Sequence, residues 1–166
     1  MGRSEEEDEM ILALEGPDRA GKTSVFDALK GCVDAVYVPS LSLPDGVPAG
    51  LLVSKLAELW EQLYDDSRLY VCDRSLFVSG PVYAALSGSE FPYDWWKWKY
   101  RVRVVYIDAP DAVLEARCVA TGEPFDAARL HRLRECYAEV LKEYKCLRLD
   151  GTRSIESLVR EVLRWL

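Results

Sequence analysis

From Met10 onward, short apolar runs alternate with longer stretches whose apolar residues recur at helical spacing, a pattern that predicts an α/β protein with a mainly parallel sheet. Ile11 to Glu15 reads as a first buried strand and Lys22 to Lys30 as its helix, followed by a short strand at Val36 to Val38. Pro39 to Pro48, rich in proline, reads as a surface loop. Leu52, Leu56, Leu59, Trp60 and Leu63 share one face of a helix over Leu51 to Leu63, and Leu69 to Cys72 is a strand closing on an acid. A helix over Phe77 to Leu86 and a strand over Val102 to Ile107 follow. Asp111 is placed to cap a helix running toward Thr121, and Asp126 to cap a longer one. Cys146 to Leu149 is the last strand, and Ser154 caps a final helix in which Ile155, Leu158, Val159, Val162, Leu163 and Leu166 form one continuous buried face. About five parallel strands flanked by helices result.

At 166 residues, 49% hydrophobic and 30% charged, the chain suits one ordinary globular domain. The net charge of −7 is uneven: Arg3 against Glu5, Glu6, Glu7, Asp8 and Glu9 leaves −4 on residues 1–9, and −3 on the domain from residue 10 to 166. The acidic segment reads as a mobile tail, and the near-balance of the rest gives no bulk support for nucleic-acid binding. No apolar run is long enough to span a bilayer and the N-terminal stretch is acidic, so a cytoplasmic location with no membrane partner is expected. Cys32, Cys72, Cys118, Cys136 and Cys146 are scattered without a CxxC pair and read as mostly buried, reduced thiols. A single histidine, His131, argues against a histidine-rich metal centre.

Gly16-Pro17-Asp18-Arg19-Ala20-Gly21-Lys22-Thr23 matches GxxxxGK(S/T) and stands where that motif requires, after a strand and opening a helix. Glycines let the backbone wrap a phosphate, and successive N–H groups with the helix N-terminus supply positive potential. Gly16, Ala20, Gly21, Lys22, Thr23 and Ser24 are therefore the expected nucleotide-binding set, with Lys22 on the β- and γ-phosphates and the Thr23 hydroxyl on Mg²⁺. Asp73, closing the third strand, would join Thr23 at the metal if that strand neighbours the first, or else make a strand-end salt bridge. Arg74 would reach the transferring phosphoryl group as a fork of donors. A nucleotide switch is the rival reading, but there is no NKxD, and outside the phosphate loop itself no DxxG follows the strand ends, where a DR pair stands instead.

These residues resemble the thymidylate kinase family. Ile11 to Thr23 resembles its first strand and phosphate loop, in the class with an arginine inside the loop. Asp73-Arg74-Ser75 with Ser79 and Tyr83 resembles its DR(Y)xxSxxAY stretch, and Val105 to Pro110 with Leu114 and Arg117 its LxLDxxPExxLxR segment. Asp150 to Ser154 resembles its last strand and helix. The resemblance implies a P-loop kinase fold with a short lid, ATP and Mg²⁺ as cofactors, and γ-phosphate transfer to a thymidine-like nucleotide. It implies Asp18, Arg19, Lys22 and Arg74 as catalytic, Asp18 toward the acceptor and Arg19 on the phosphates, with Arg117 and Gly151 on the donor side. A loop arginine goes in that family with a lid lacking its own, and Cys118 to Phe125 has none.

The chain departs from the family at the acceptor. Val38-Pro39 and Ala57 to Glu61 stand where arginines are expected, and between Ser24 and Cys72 only Lys30, Lys55 and Arg68 are cationic. The acceptor is then a thymidine-like nucleotide, a free deoxynucleoside, or a 5-hydroxymethyluracil nucleotide within phage DNA. Tyr93 to Arg103 interleaves aromatics with cations, so Trp95, Trp96, Lys97, Trp98 and Lys99 form either a platform for single-stranded or modified DNA or, the favoured reading, an amphipathic turn packing its tryptophans on the sheet. Arg129, His131, Arg132 and Arg134 make a second basic run, in which Arg129 and Arg132 meet ATP phosphates or pair with Glu123, Asp126 and Glu135. A homodimer is left open.

Overall fold

A computed structural model describes residues 11–40, 49–65 and 67–166, with side chains omitted over 49–54; the acidic segment at 1–9 and most of the proline loop lie outside the described residues. Among the described residues the strands are β1 (Ile11–Glu15), β2 (Val36–Val38), β3 (Tyr70–Asp73), β4 (Val102–Asp108) and β5 (Lys145–Asp150), all parallel, in the order β2-β3-β1-β4-β5. Between and after them run the helices α1 (Lys22–Leu29), α2 (Ala49–Leu63), α3 (Leu76–Leu86), α4 (Asp111–Ala120), α5 (Ala127–Leu141) and α6 (Ile155–Trp165).

A strand covered by helices on both faces has to be apolar along its whole length, and β1 and the walls of β3 are buried throughout. Side chains alternate across the sheet, so Ile11 and Ala13 enter one core while Leu12 and Leu14 enter the other. The first core, against α3 and α5, is aromatic: Phe77 stacks on Trp98 at 4.5 Å between ring centres, and Trp60 and Tyr64 of the α2 end close over Tyr70. The second is mainly aliphatic, formed by Val25, Leu29 and the aromatic Phe26 of α1 with Leu158, Val159 and Val162 of α6.

Several expectations need correction. Asp111 is the first residue of α4 and Pro110 the cap, since proline's fixed φ suits the entry to a helix and Asp111 then serves the first turn by charge. Asp126 and Ser154 do cap α5 and α6, accepting from the amides of Arg129 and Ser157. The buried face of α6 is not continuous: Leu158, Val159 and Val162 are buried, whereas Ile155, Leu163 and Leu166 are exposed, because one sheet face covers only a narrow stripe of a helix. On α2 the inner seam runs through Ala57, Trp60 and Tyr64, turning Leu59 and Leu63 outward. All five cysteines are unbridged; Cys72 and Cys118 are buried but Cys32 is exposed, so it is no core residue. Among the described residues no helix is long and apolar enough to cross a membrane.

Candidate active site

The phosphate loop crosses the carboxyl ends of the strands, where an open parallel sheet binds its ligands. Its path depends on Gly16, whose φ of 136° is left-handed and whose added Cβ would lie 2.0 Å from the Ile107 carbonyl oxygen of β4. Gly16 therefore seats the loop on the sheet and does not line the cleft above it; Ala20 is likewise buried beneath the loop. Gly21, at φ 111°, opens α1 and aims the helix N-terminus into a cleft of about 950 Å³. Asp18, Arg19, Gly21, Lys22, Thr23, Ser24, Asp73, Arg74, Arg117 and Gly151 all border that cleft, joined by Glu123, Arg153 and Ile155.

Within the cleft the chemistry is arranged in pairs. The Thr23 hydroxyl donates to Oδ2 of Asp73 at 2.9 Å, which is possible because β3 pairs directly with β1. A buried carboxylate beside a hydroxyl at the foot of a phosphate loop is a set of hard oxygen donors, and it suits Mg²⁺. The Lys22 ammonium, almost fully buried, donates to the Pro17 carbonyl; burial, with Arg74 nearby, brings its pKa down to about 8. Arg74 adopts a left-handed φ of 67° and donates from one end of its guanidinium to the Tyr83 hydroxyl and from the other to Asp18. Arg19, also left-handed at φ 66°, pairs with Glu123 through Nε at 2.9 Å and through Nη2. Arg117 ties the loop to the β5–α6 turn, donating to the carbonyls of Arg19 and Gly151 at 2.8 Å each.

Beneath the loop lies a network that the sequence reading missed. Glu15 is wholly buried and accepts from the Ser75 amide at 2.6 Å, the Tyr137 hydroxyl at 3.0 Å and the Ser79 hydroxyl. Burial raises its pKa, opposed by these hydrogen bonds and by Arg74. The available signal was an acid at the end of a fully apolar strand, which must find several donors once the strand is buried. Glu123 carried no such signal, since an exposed glutamate in a loop is ordinary.

Other candidates lie elsewhere. Trp95–Trp98 form a 3-10 helix entering β4, in which Trp98 is buried and Trp95 stacks on Tyr144 at 5.8 Å against the core, while Trp96 and Lys97 stay exposed. Because all strands are parallel, this turn sits at the end of the sheet opposite the phosphate loop. Neither Arg129 nor Arg132 borders the cleft. Arg134 of the same run instead binds Asp108 through Nε at 2.8 Å and also pairs with Asp111, because α5 presents it to the end of β4.

No protein-family model matches the chain, and no curated protein matches it. Solved structures do match over nearly the full length. YorR protein from Bacillus subtilis, determined in complex with phosphorylated GDP, superposes with a TM-score of 0.70 at 18% identity, covering 93% of this chain and 94% of its own. Thymidylate kinase from Ehrlichia chaffeensis gives 0.63 at 15% identity, covering 95% and 98%. Deoxyadenosine kinase from M. mycoides gives 0.60 at 12% identity, covering 94% and 98%. Sheet order, phosphate loop and these likenesses define an α/β P-loop kinase fold. Within that class the chain has the fold of the thymidylate and deoxynucleoside kinases, in keeping with the resemblance seen in its sequence.

Proposed function

We propose that this protein is an ATP- and Mg²⁺-dependent phosphotransferase that moves the γ-phosphate to a thymidine-like nucleotide. The observation that carries the reading is the convergence, in one cleft, of buried Lys22, the Thr23–Asp73 pair at 2.9 Å, and the two arginines Arg19 and Arg74. An oxygen of the acceptor attacks the γ-phosphorus while the bond to the β–γ bridging oxygen breaks and ADP leaves with the electron pair. Charge spreads over the transferring oxygens, so positioning and fixed cations carry the catalysis. Thr23 and Asp73 would hold the magnesium ion, which neutralises charge on the β- and γ-oxygens when bound.

Lys22 binds the β- and γ-phosphates and follows charge as it moves. Arg19 and Arg74 serve the phosphoryl group from the loop and from the β3–α3 turn. Asp18, paired with Arg74, orients the acceptor and takes its proton if the acceptor is a hydroxyl. Gly16, Gly21 and Ser24 shape or border the phosphate cradle, and Arg117 and Gly151 bound the donor side.

Transfer of labelled γ-phosphate from ATP to thymidylate, to deoxynucleosides, and to DNA with and without 5-hydroxymethyluracil tests the reading. Label on thymidylate supports it as stated, and label only on a nucleoside or on modified DNA corrects the acceptor. No transfer to any acceptor, with ATP bound, overturns it.

A further inference from the structure

Two arginines of the cleft already have carboxylate partners within it: Asp18 on Arg74 and Glu123 on Arg19. The second partnership is unexpected for a phosphate site. Glu123 borders the cleft from the α4–α5 loop, where a carboxylate repels a polyphosphate. It also engages Arg19 through two donors of one guanidinium, the geometry that most favours an arginine–carboxylate pair. The mutual effect is visible in both groups: the hydrogen bond to Glu123 raises the pKa of Arg19, and that from Arg19 lowers the pKa of Glu123.

Arg19 is gripped at both ends, by different elements. Arg117 of α4 holds its backbone carbonyl at 2.8 Å and also holds Gly151, which fixes the loop to the sheet end. Glu123 holds only the guanidinium, and it follows Gly122 at a left-handed φ of 72°, where the chain turns away from α4. The side chain can therefore exchange partners while its backbone stays in place.

We infer that Glu123 is a positioning residue that parks Arg19 against the α4–α5 loop until the terminal phosphoryl of a nucleoside triphosphate takes the guanidinium from it. This rests on reading the cleft as a phosphotransferase site. A terminal phosphoryl group carrying a charge of about −2, with three acceptor oxygens, outcompetes a single carboxylate for the fork. A diphosphate has no such group at that position and leaves the pair intact. The exchange charges a fixed cost to triphosphate binding and none to diphosphate binding, and it couples the loop bearing Glu123 to the presence of the donor.

The test is equilibrium binding of ATP and of ADP to the full chain and to its E123Q, R19A and doubly substituted variants. The two side chains are 43% and 38% exposed, so folding should survive each change, and melting curves check that it does. Glu123→Gln is expected to tighten ATP about threefold or more and to leave ADP within about 1.5-fold, since an exposed ion pair contributes little. In the Arg19→Ala background the same change should tighten ATP by less than half as much, because only the direct repulsion between Glu123 and the phosphates then remains. Equal changes for ATP and ADP, persistence of the full effect without Arg19, or weaker ATP binding in E123Q would overturn the inference. If the unsubstituted protein binds neither nucleotide, the reading of the cleft fails with it; if it binds ATP normally and E123Q is neutral, only the role of Glu123 fails.

Discussion

At the scale of single residues, Lys22 and Glu15 are both buried charged groups with opposite fates. Lys22 is buried next to a cleft and waits for an anion, so its effect belongs to the transition state: Lys22→Ala should lower transfer by about 10² or more in kcat/KM, measured with labelled ATP. Retained activity would mean the cleft works by another mechanism. Glu15 already has its donors, and its consequence is stability. With its native pKa raised, the folded state holds the proton more tightly than the unfolded state, so this group's contribution is full below about 4.5 and is lost as pH rises through the folded value. Glu15→Gln should flatten that slope in urea melts run across pH. Glu15→Ala, which strands the Ser75 amide and two hydroxyls, should cost about 2–4 kcal/mol. The types of these residues could be read from the sequence, but their partners could not. Asp18 and Arg74 are 56 residues apart in the chain, Arg19 and Glu123 are 104 apart, and only the sheet order brings them together.

At the scale of elements, the donor side depends on two backbones in contact. An added Cβ at Gly151 would lie 2.2 Å from the Ala20 carbonyl oxygen, and backbone cannot swing aside as a side chain can. Gly151→Ala should push the β5–α6 turn off the phosphate loop, weakening ATP binding roughly tenfold while costing about 1–3 kcal/mol of stability. Calorimetric titration with ATP checks the first effect and thermal melting the second; unchanged affinity would mean the turn contributes nothing to the donor. Elements themselves were legible because strand and helix impose different periods: all five strands fall at or within a residue or two of where apolar runs place them. Faces were less legible. The periodicity of α2 and α6 shows which residues are apolar, whereas the share of them that is covered depends on how the neighbouring layer ends, as Leu63 at 68% exposure and Leu166 at 44% illustrate.

At the scale of the whole molecule, parallel strands give the protein two ends with different duties. Arg101 and Ile11 are joined by a backbone hydrogen bond at one end, and the phosphate loop begins beyond Glu15 at the other, roughly 15 Å away along the five residues of β1. The tryptophan turn belongs to the first end. In the sequence its aromatic density suited a binding platform as well as the favoured core packing, because stacking on bases and packing a core use the same residue types. Burial separates the two uses: Trp98 is taken by the core, and Trp96 is left 52% exposed beside exposed Lys97. Replacing Trp96 and Lys97 together by alanine should therefore leave transfer to thymidylate within about twofold of the unsubstituted protein, since sites this far apart act independently. Steady-state kinetics on thymidylate and on an oligonucleotide acceptor, run side by side, make the check specific. A loss confined to the oligonucleotide would show a nucleic acid reaching from this end of the sheet to the phosphate loop, and a loss on both acceptors would show that the turn supports the cleft through the aromatic core.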